Sequence, residues 1–245
     1  MKKILDVKIS DLSFDETVNT INDWIVQNFK KKYICICNTH SLVESKKNYM
    51  HKKALLEASI CTPDGMPLVW EINKSKKSKN QDRVDGPSLM EKLCESKTNK
   101  IFLLGSTDEN LSVLETKLRN LNPEIKLVGS YSPPFKTLDS EDDKRIVNIV
   151  NDSNADIVFV SLGCPKQEIW MNKNYESMNS ILIGVGAAFD FHTGKIKRAP
   201  SIIQKVGMEW MYRLLQDPKR LWKRYLINNS LYILFIVLSR LRKKE

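Results

Sequence analysis

IVFVSLGCPKQEIW, residues 157–170, opens on a short, unbroken apolar run and turns at Gly163 into a polar segment headed by Pro165. A brief run rich in Val, Ile and Phe suits a buried strand, and a proline suits the first turn of a helix. The stretch therefore reads as strand, tight turn and helix. Apolar runs of the same kind, bounded by Gly, Asn or Pro, recur at 33–37, 101–104 and 181–185. Helical patterns lie around them at 15–29, 41–58, 87–95, 108–121, 139–151 and 165–175, several opening on Asp, Ser or Pro.

Strands that are apolar throughout, rather than alternately apolar and polar, belong in a sheet covered on both sides. With the alternation of strand and helix they predict an α/β protein, a Rossmann-like parallel sheet with helices on both faces. In such sheets ligands bind beyond the carboxyl ends of the strands. There the unusual residues collect: Asn38, Thr39 and His40 after the first run, Gly105 and Ser106 after the second, Gly163, Cys164, Pro165 and Lys166 after the third, Gly184 and Gly186 at the last. Free N–H groups at a helix start near Pro165, with Lys166 beside them, would receive a phosphate, and Gln167 and Glu168 add directional polar groups to the same turn. An ordinary strand-to-helix connection with Lys166 in solvent is the alternative. In CTPDG, at 61–65, Asp64 stands between a short strand and a helix starting at Met66 or Pro67, where a carboxylate would be fixed by geometry. Plain Asp-Gly turn chemistry is the other reading, and Asp85-Gly86 is more simply a turn and helix cap. IFLLGS, at 101–106, lacks GxGxxG spacing, which argues against a dinucleotide enzyme.

The last 49 residues, 197–245, hold twelve Lys and Arg against three Asp and Glu, and so carry +9 of the net charge of +10. Gly194 and Pro200 bracket the passage into them, dividing the chain into an α/β body, 1–196, and a basic amphipathic appendage, 197–245. Trp210, Tyr212, Trp222 and Tyr225 are interleaved with the cations, and an apolar run at 231–238 precedes Arg240, Arg242, Lys243 and Lys244. Two helices broken at Pro218, the second capped by Asp217, put Arg220 and Arg224 on one face near Lys223. That face is either solvated or a clamp for a pyrophosphate, whose oxygens match guanidinium forks. The apolar run is far shorter than the roughly 20 residues of a spanning helix. It would lie in the interface of an anionic membrane; packing on the body or on a second copy of the chain, in a homo-oligomer, is the alternative.

MKKILDVKISDLSFDE, at the start, has only Ile4 and Leu5 ahead of Asp6, no hydrophobic core for a secretory signal. The expected place is the cytoplasm, peripheral on the inner face of the plasma membrane. KSKKSK, at 74–79, reads as a solvated loop. Five cysteines without CxxC spacing read as buried reduced thiols, and three histidines without HExxH give no metal-ligand set.

TPDG (62–65), RVDGPSL (83–89), LLGS (103–106), SYSPPF (130–135), SLGCPKQE (161–168) with Trp170, GVGAAFDFHTGKIKRAP (184–200) and EWMYRLLQDPKRLWKRYL (209–226), in this order, resemble the WecG/TagA/CpsF glycosyltransferase family over nearly the whole chain. The resemblance implies transfer of a sugar, typically of N-acetylmannosamine type, from its UDP derivative to an undecaprenyl-pyrophosphate-linked sugar at the cytoplasmic membrane face. It also implies inversion at the anomeric carbon, without a bound metal or other cofactor. Asp64 matches the general base, which takes the proton of the acceptor hydroxyl. Gln167 and Glu168 match positions near the donor. Asn38, Ser106, Tyr131, Pro165, Lys166, Asp190 and Arg198 are further candidate substrate contacts, with fixing its own loop the alternative for Asp190. Glycines 105, 163, 184 and 186 would admit the UDP backbone closely. Arg213, Arg220 and Arg224 fall where tail arginines fold over the site and take up charge on the leaving UDP, with Lys223 the alternative to its neighbour Arg224. One departure is Ile36, where a hydroxyl is expected two positions before Asn38; Thr39 is the candidate replacement. Members serve wall teichoic acid, enterobacterial common antigen and capsule or exopolysaccharide pathways, so the resemblance leaves the acceptor open. A nucleic-acid binder fits only the charge, since the cations sit beside apolar sequence and no nucleic-acid module is present.

Overall fold

Residues 1–74 and 81–241 are described by the computed structural model; most of the lysine run at 74–79, and Arg242, Lys243 and Lys244, lie outside the described residues. Two short strands, β1 (Lys2–Ile4) and β2 (Val7–Ile9), pair antiparallel. Helix α1 (Phe14–Val26) starts where Ser13 and Glu16 satisfy each other's backbone N–H groups, a capping box. Strand β3 (Lys32–Cys37) leads into α2 (Thr39–Lys47) and α3 (Tyr49–Glu57). A single helix was expected at 41–58. Asn48 breaks it by adopting extended dihedrals, donating its N–H to the Glu44 carbonyl and accepting from the His51 N–H through its side chain.

Next come β4 (Ile60–Pro63), α4 (Met66–Asn73), α5 (Gly86–Cys94), β5 (Lys100–Gly105), α6 (Asp108–Leu121) and β6 (Lys126–Tyr131). They are followed by α7 (Ser140–Asp152), β7 (Ile157–Ser161), α8 (Lys166–Asn174), β8 (Ile181–Gly184) and α9 (Ala188–Thr193). Beyond Pro200 the chain is helical: α10 (Ser201–Lys205), α11 (Glu209–Gln216), α12 (Pro218–Trp222), a π-helical stretch (Lys223–Ile227) and α13 (Asn228–Leu241). Asp217 caps α12 through its side chain, as the sequence predicts.

Strands β3 to β8 form one parallel sheet in the order β4-β3-β8-β7-β5-β6. Alternate residues of each inner strand face opposite layers. Tyr33, Cys35 and Cys37 of β3 join Val158, Val160 and Leu182 against α2, α3, α7 and α8. Ile34 and Ile36 join Phe159, Ile181 and Ile183 against α1, α5, α6 and α9. Burial on both faces is why these strands read as unbroken apolar runs. β6 lies at the edge and carries only partly buried or exposed residues, so it has no such run.

Chain direction then fixes where a ligand fits. From β5 the connection runs outward to β6 through α6, and from β7 it runs the other way to β8 through α8, on the opposite layer. The carboxyl ends of β5 and β7 therefore flank a switch point, where the departing helices leave a crevice. The appendage folds back over the body: Tyr232 of α13 is 5 % exposed and belongs to the layer that holds α2. Thr39 Oγ1 donates to Asn229 Oδ1 at 2.7 Å, and Arg240 pairs with Glu71 at 2.6 Å. Among the described residues, no helix is long and apolar enough to cross a membrane.

Candidate active site

A cavity of about 930 Å³ opens at the carboxyl ends of the strands and is closed on one side by the appendage. The strand ends beneath and beside the cavity carry glycines at close approaches. Gly105 ends β5 at φ +117°, and a Cβ there would stand 2.4 Å from the Ser161 carbonyl oxygen. At Gly184, the end of β8, a Cβ would press to 2.7 Å on Met171 and 3.0 Å on the Gln167 amide. Small residues at these strand ends keep the crevice open and let β5 and β7 converge beneath it.

Asp64 follows β4, its N–H held by the Cys37 carbonyl at 2.8 Å, and its carboxyl lines the cavity with 30 % of the side chain still exposed. Burial pushes its pKa up to about 6; Arg83 and Arg213 oppose that rise, while Asp85 and Glu209 reinforce it. Such a carboxylate is ionised at neutral pH yet more basic than an ordinary aspartate, a useful state for proton abstraction. Asn38 caps α2 by accepting from the Ser41 N–H, which leaves its amide nitrogen beside the cavity.

Ser106, at φ +65°, is fixed by Asn110, whose amide donates to Ser106 Oγ at 2.8 Å and to Asp190 Oδ1 at 3.2 Å; Ser106 and Asp190 both line the cavity. Gly163, Gly186 and the exposed Lys166 line it too. Gln167 and Glu168 are buried in its wall, the Gln167 amide donating to Glu168 Oε1 at 2.8 Å. Burial raises the Glu168 pKa.

From the appendage, Arg213, Arg220 and Arg224 reach the same cavity. Arg213 stacks over Phe191 at 5.1 Å, Arg224 lies 5.9 Å from the Tyr225 ring, and Arg220 pairs with Asp217 at 2.6 Å. Lys223 instead lies over Trp222 and does not line the cavity, so of these two neighbours Arg224 is the one the structure brings in.

Five expected contacts are placed elsewhere. Gly105 lies at the end of β5 against Ser161, and its neighbour Ser106 rather than Gly105 lines the cavity. Thr39 spends its hydroxyl on Asn229, and Ile36 rather than Thr39 lines the cavity; a hydroxyl at residue 39 points along α2 toward the appendage, not over the strand ends. Arg198 donates to Asp85 Oδ1 at 2.7 Å and to Ser88 Oγ at 2.9 Å, tying the passage after α9 to the start of α5. Tyr131 packs at the edge of the core layer, and Pro165 occupies the cap of α8; neither lines the cavity.

Arg83 and Glu209 are functional neighbours that the sequence reading missed. Arg83, 12 % exposed, reaches Glu209 of α11 at 2.7 Å, Asp85 at 3.5 Å and Asp64 at 3.9 Å. The RVDGPSL string contained Arg83 and Asp85, but Asp64 and Glu209 come from two other segments of the chain. Among the described residues, His51, Cys164 and Glu168 place possible metal-ligand atoms within 4.8 Å of one another. His51 Nε2 donates to the Ser41 carbonyl, burial lowers the His51 pKa to about 4, and burial holds the Cys164 thiol protonated.

A model of the glycosyl transferase WecG/TagA/CpsF family matches residues 2–245, and the chain belongs to that family. It is a glycosyltransferase, working with a sugar donor and an acceptor.

Proposed function

We propose that this family member moves an N-acetylmannosamine-type sugar from its UDP derivative to a hydroxyl of an undecaprenyl-pyrophosphate-linked sugar, inverting the anomeric carbon. One observation carries the reading: a single cavity is lined by Asp64 from the body and by Arg213, Arg220 and Arg224 from the appendage. The acceptor hydroxyl donates to the Asp64 carboxylate, which takes its proton as the oxygen attacks the anomeric carbon. The bond from that carbon to the UDP oxygen breaks, and its electron pair leaves with UDP. Negative charge grows on the pyrophosphate, where the three guanidiniums are matched to phosphate oxygens and act in place of a metal ion. Gln167, Ser106 and the glycine turns supply the donor's remaining contacts.

The apolar surface of α13 supports a peripheral place on the cytoplasmic membrane face. Its inner side carries Asn228 and Tyr232, both buried, while Ile233, Leu234, Val237, Leu238 and Leu241 are exposed on the other. Fourteen residues make a helix of about 21 Å, suited to lying in the interface beside the basic residues of α12. Wall teichoic acid and capsule or exopolysaccharide synthesis are the pathways this reading serves; another hexose in the latter is the second reading, since nothing in the cavity singles out an acetamido group. The experiment is transfer from a panel of labelled UDP-sugars to a lipid-pyrophosphate-linked amino sugar. UDP-N-acetylmannosamine is the expected donor, with Asp64→Asn slowed by 10²-fold or more, about the low end for a lost general base. No transfer from any UDP-sugar, or undiminished turnover by Asp64→Asn, would refute it.

A further inference from the structure

Arg83 presents a difficulty for any base at Asp64. A guanidinium that hydrogen-bonds a carboxylate lowers its pKa by roughly 1–3 units and occupies the oxygens that must receive a proton. Yet Arg83 stands off from Asp64 at 3.9 Å, outside hydrogen-bond distance. What keeps it away is visible in the ion pairs. Its Nη1 is taken by Glu209 at 2.7 Å, and both side chains are largely buried, at 12 % and 17 % exposure. Its Nη2 lies 3.5 Å from Asp85, whose other oxygen is engaged by Arg198 at 2.7 Å. Arg83 belongs to the body, whereas Glu209 opens α11, one helical turn ahead of the cavity-lining Arg213.

We infer that Glu209 is a positioning residue: by binding Arg83 it holds that guanidinium off Asp64, so the base is free only when α11 is docked on the body. The inference rests on the role proposed for Asp64. The charged groups that face Asp64 are Arg83 before α5, Asp85 at the α5 cap, and Glu209 and Arg213 on α11. Glu209 adds to the rise in the Asp64 pKa, and Arg83 is the strongest influence against it. When Glu209 is neutral or withdrawn, Arg83 keeps a full positive charge with Asp64 and Asp85 as its remaining carboxylates. It then closes on Asp64, which becomes a weaker base with occupied lone pairs. One helix thus carries both the cation that faces the donor and the anion that releases the base.

The test uses the full chain with Glu209→Gln, which keeps size and hydrogen bonding but removes charge. Titration of Asp64 by carboxyl-labelled NMR, without substrate, should show its midpoint moved down by about one pH unit. The acid limb of the kcat/KM profile should move with it, and kcat at the plateau should fall about tenfold while KM for the UDP-sugar changes little. In an Arg83→Gln background, Glu209→Gln should move the midpoint by much less than in the parent, because only the direct repulsion between Glu209 and Asp64 remains. Glu209→Asp should restore part of the shift. An unmoved Asp64 midpoint in Glu209→Gln, or equal shifts with and without Arg83, overturns the inference. Because the NMR midpoint is read without turnover, it separates this result from failure of Asp64 as base, which the Asp64→Asn transfer assay reports by itself.

Discussion

At the scale of the residue, Asp64 shows how a site that works is held at a cost in stability. Its carboxyl binds a proton up to about pH 6 in the folded chain, against an ordinary value of 3.8, chiefly because of burial. The folded state therefore holds that proton more tightly than the unfolded one. Stability from this group is fullest below about pH 4 and is lost as pH rises toward 6. Asp64→Asn, which cannot ionise, should then be more stable than the parent at pH 7 by about 1–3 kcal/mol, and the gain should vanish near pH 4. Urea unfolding at the two pH values measures it. A variant destabilised equally at both would mean that the Arg83 contact outweighs the burial of the charge.

At the scale of the element, the joint between α2 and α13 gives Thr39 a task that sequence could not supply. Its hydroxyl donates to Asn229, and beside it Asn228 donates to His40 Nδ1 at 2.6 Å, where burial keeps the imidazole neutral by lowering its pKa to about 3. Thr39→Val keeps the shape and removes one hydrogen bond, so α13 should be released by about 0.5–1.5 kcal/mol. Hydrogen exchange across α13 should quicken up to tenfold, while the donor KM stays within twofold; a complete loss of transfer with normal exchange would return the hydroxyl to the chemistry. The inner strands were legible because two covered faces leave only apolar residues, as in 157–161. β6 was not, because an edge strand keeps polar and small residues. Asp64 and the glycine turns were legible as local patterns. The Arg83–Glu209 pair spans 126 residues of sequence and exists only after α11 has folded over the strand ends.

At the scale of the whole molecule, the charge imbalance and the site geometry follow from one arrangement. The appendage holds nearly all of the net positive charge, and it also supplies three of the cavity's arginines. Charge that would serve only for adhesion has no need to line a buried cavity, and charge that serves only catalysis has no need of an exposed apolar helix face beside it. Both are present in the appendage, the arginines on α11, α12 and the π-helical stretch and the exposed apolar face on α13. Membrane binding and turnover should therefore be separable by substitution on the outer face of α13. Leu234→Glu with Leu238→Glu changes two exposed residues and leaves Asn228, Tyr232 and all three arginines in place. Each exposed leucine side chain contributes roughly 1–2 kcal/mol to an apolar interface, and the added carboxylates are repelled by anionic lipid. Flotation with phosphatidylglycerol vesicles should show binding by the parent, falling with added salt, and at least a hundredfold weaker partition by the double variant. Transfer to a short-chain, water-soluble acceptor should be retained in that variant within about threefold, because the cavity is untouched. Equal flotation of the two proteins would place the membrane contact elsewhere. Loss of soluble transfer together with a change in oligomeric state would instead make the outer face of α13 a contact between copies of the chain.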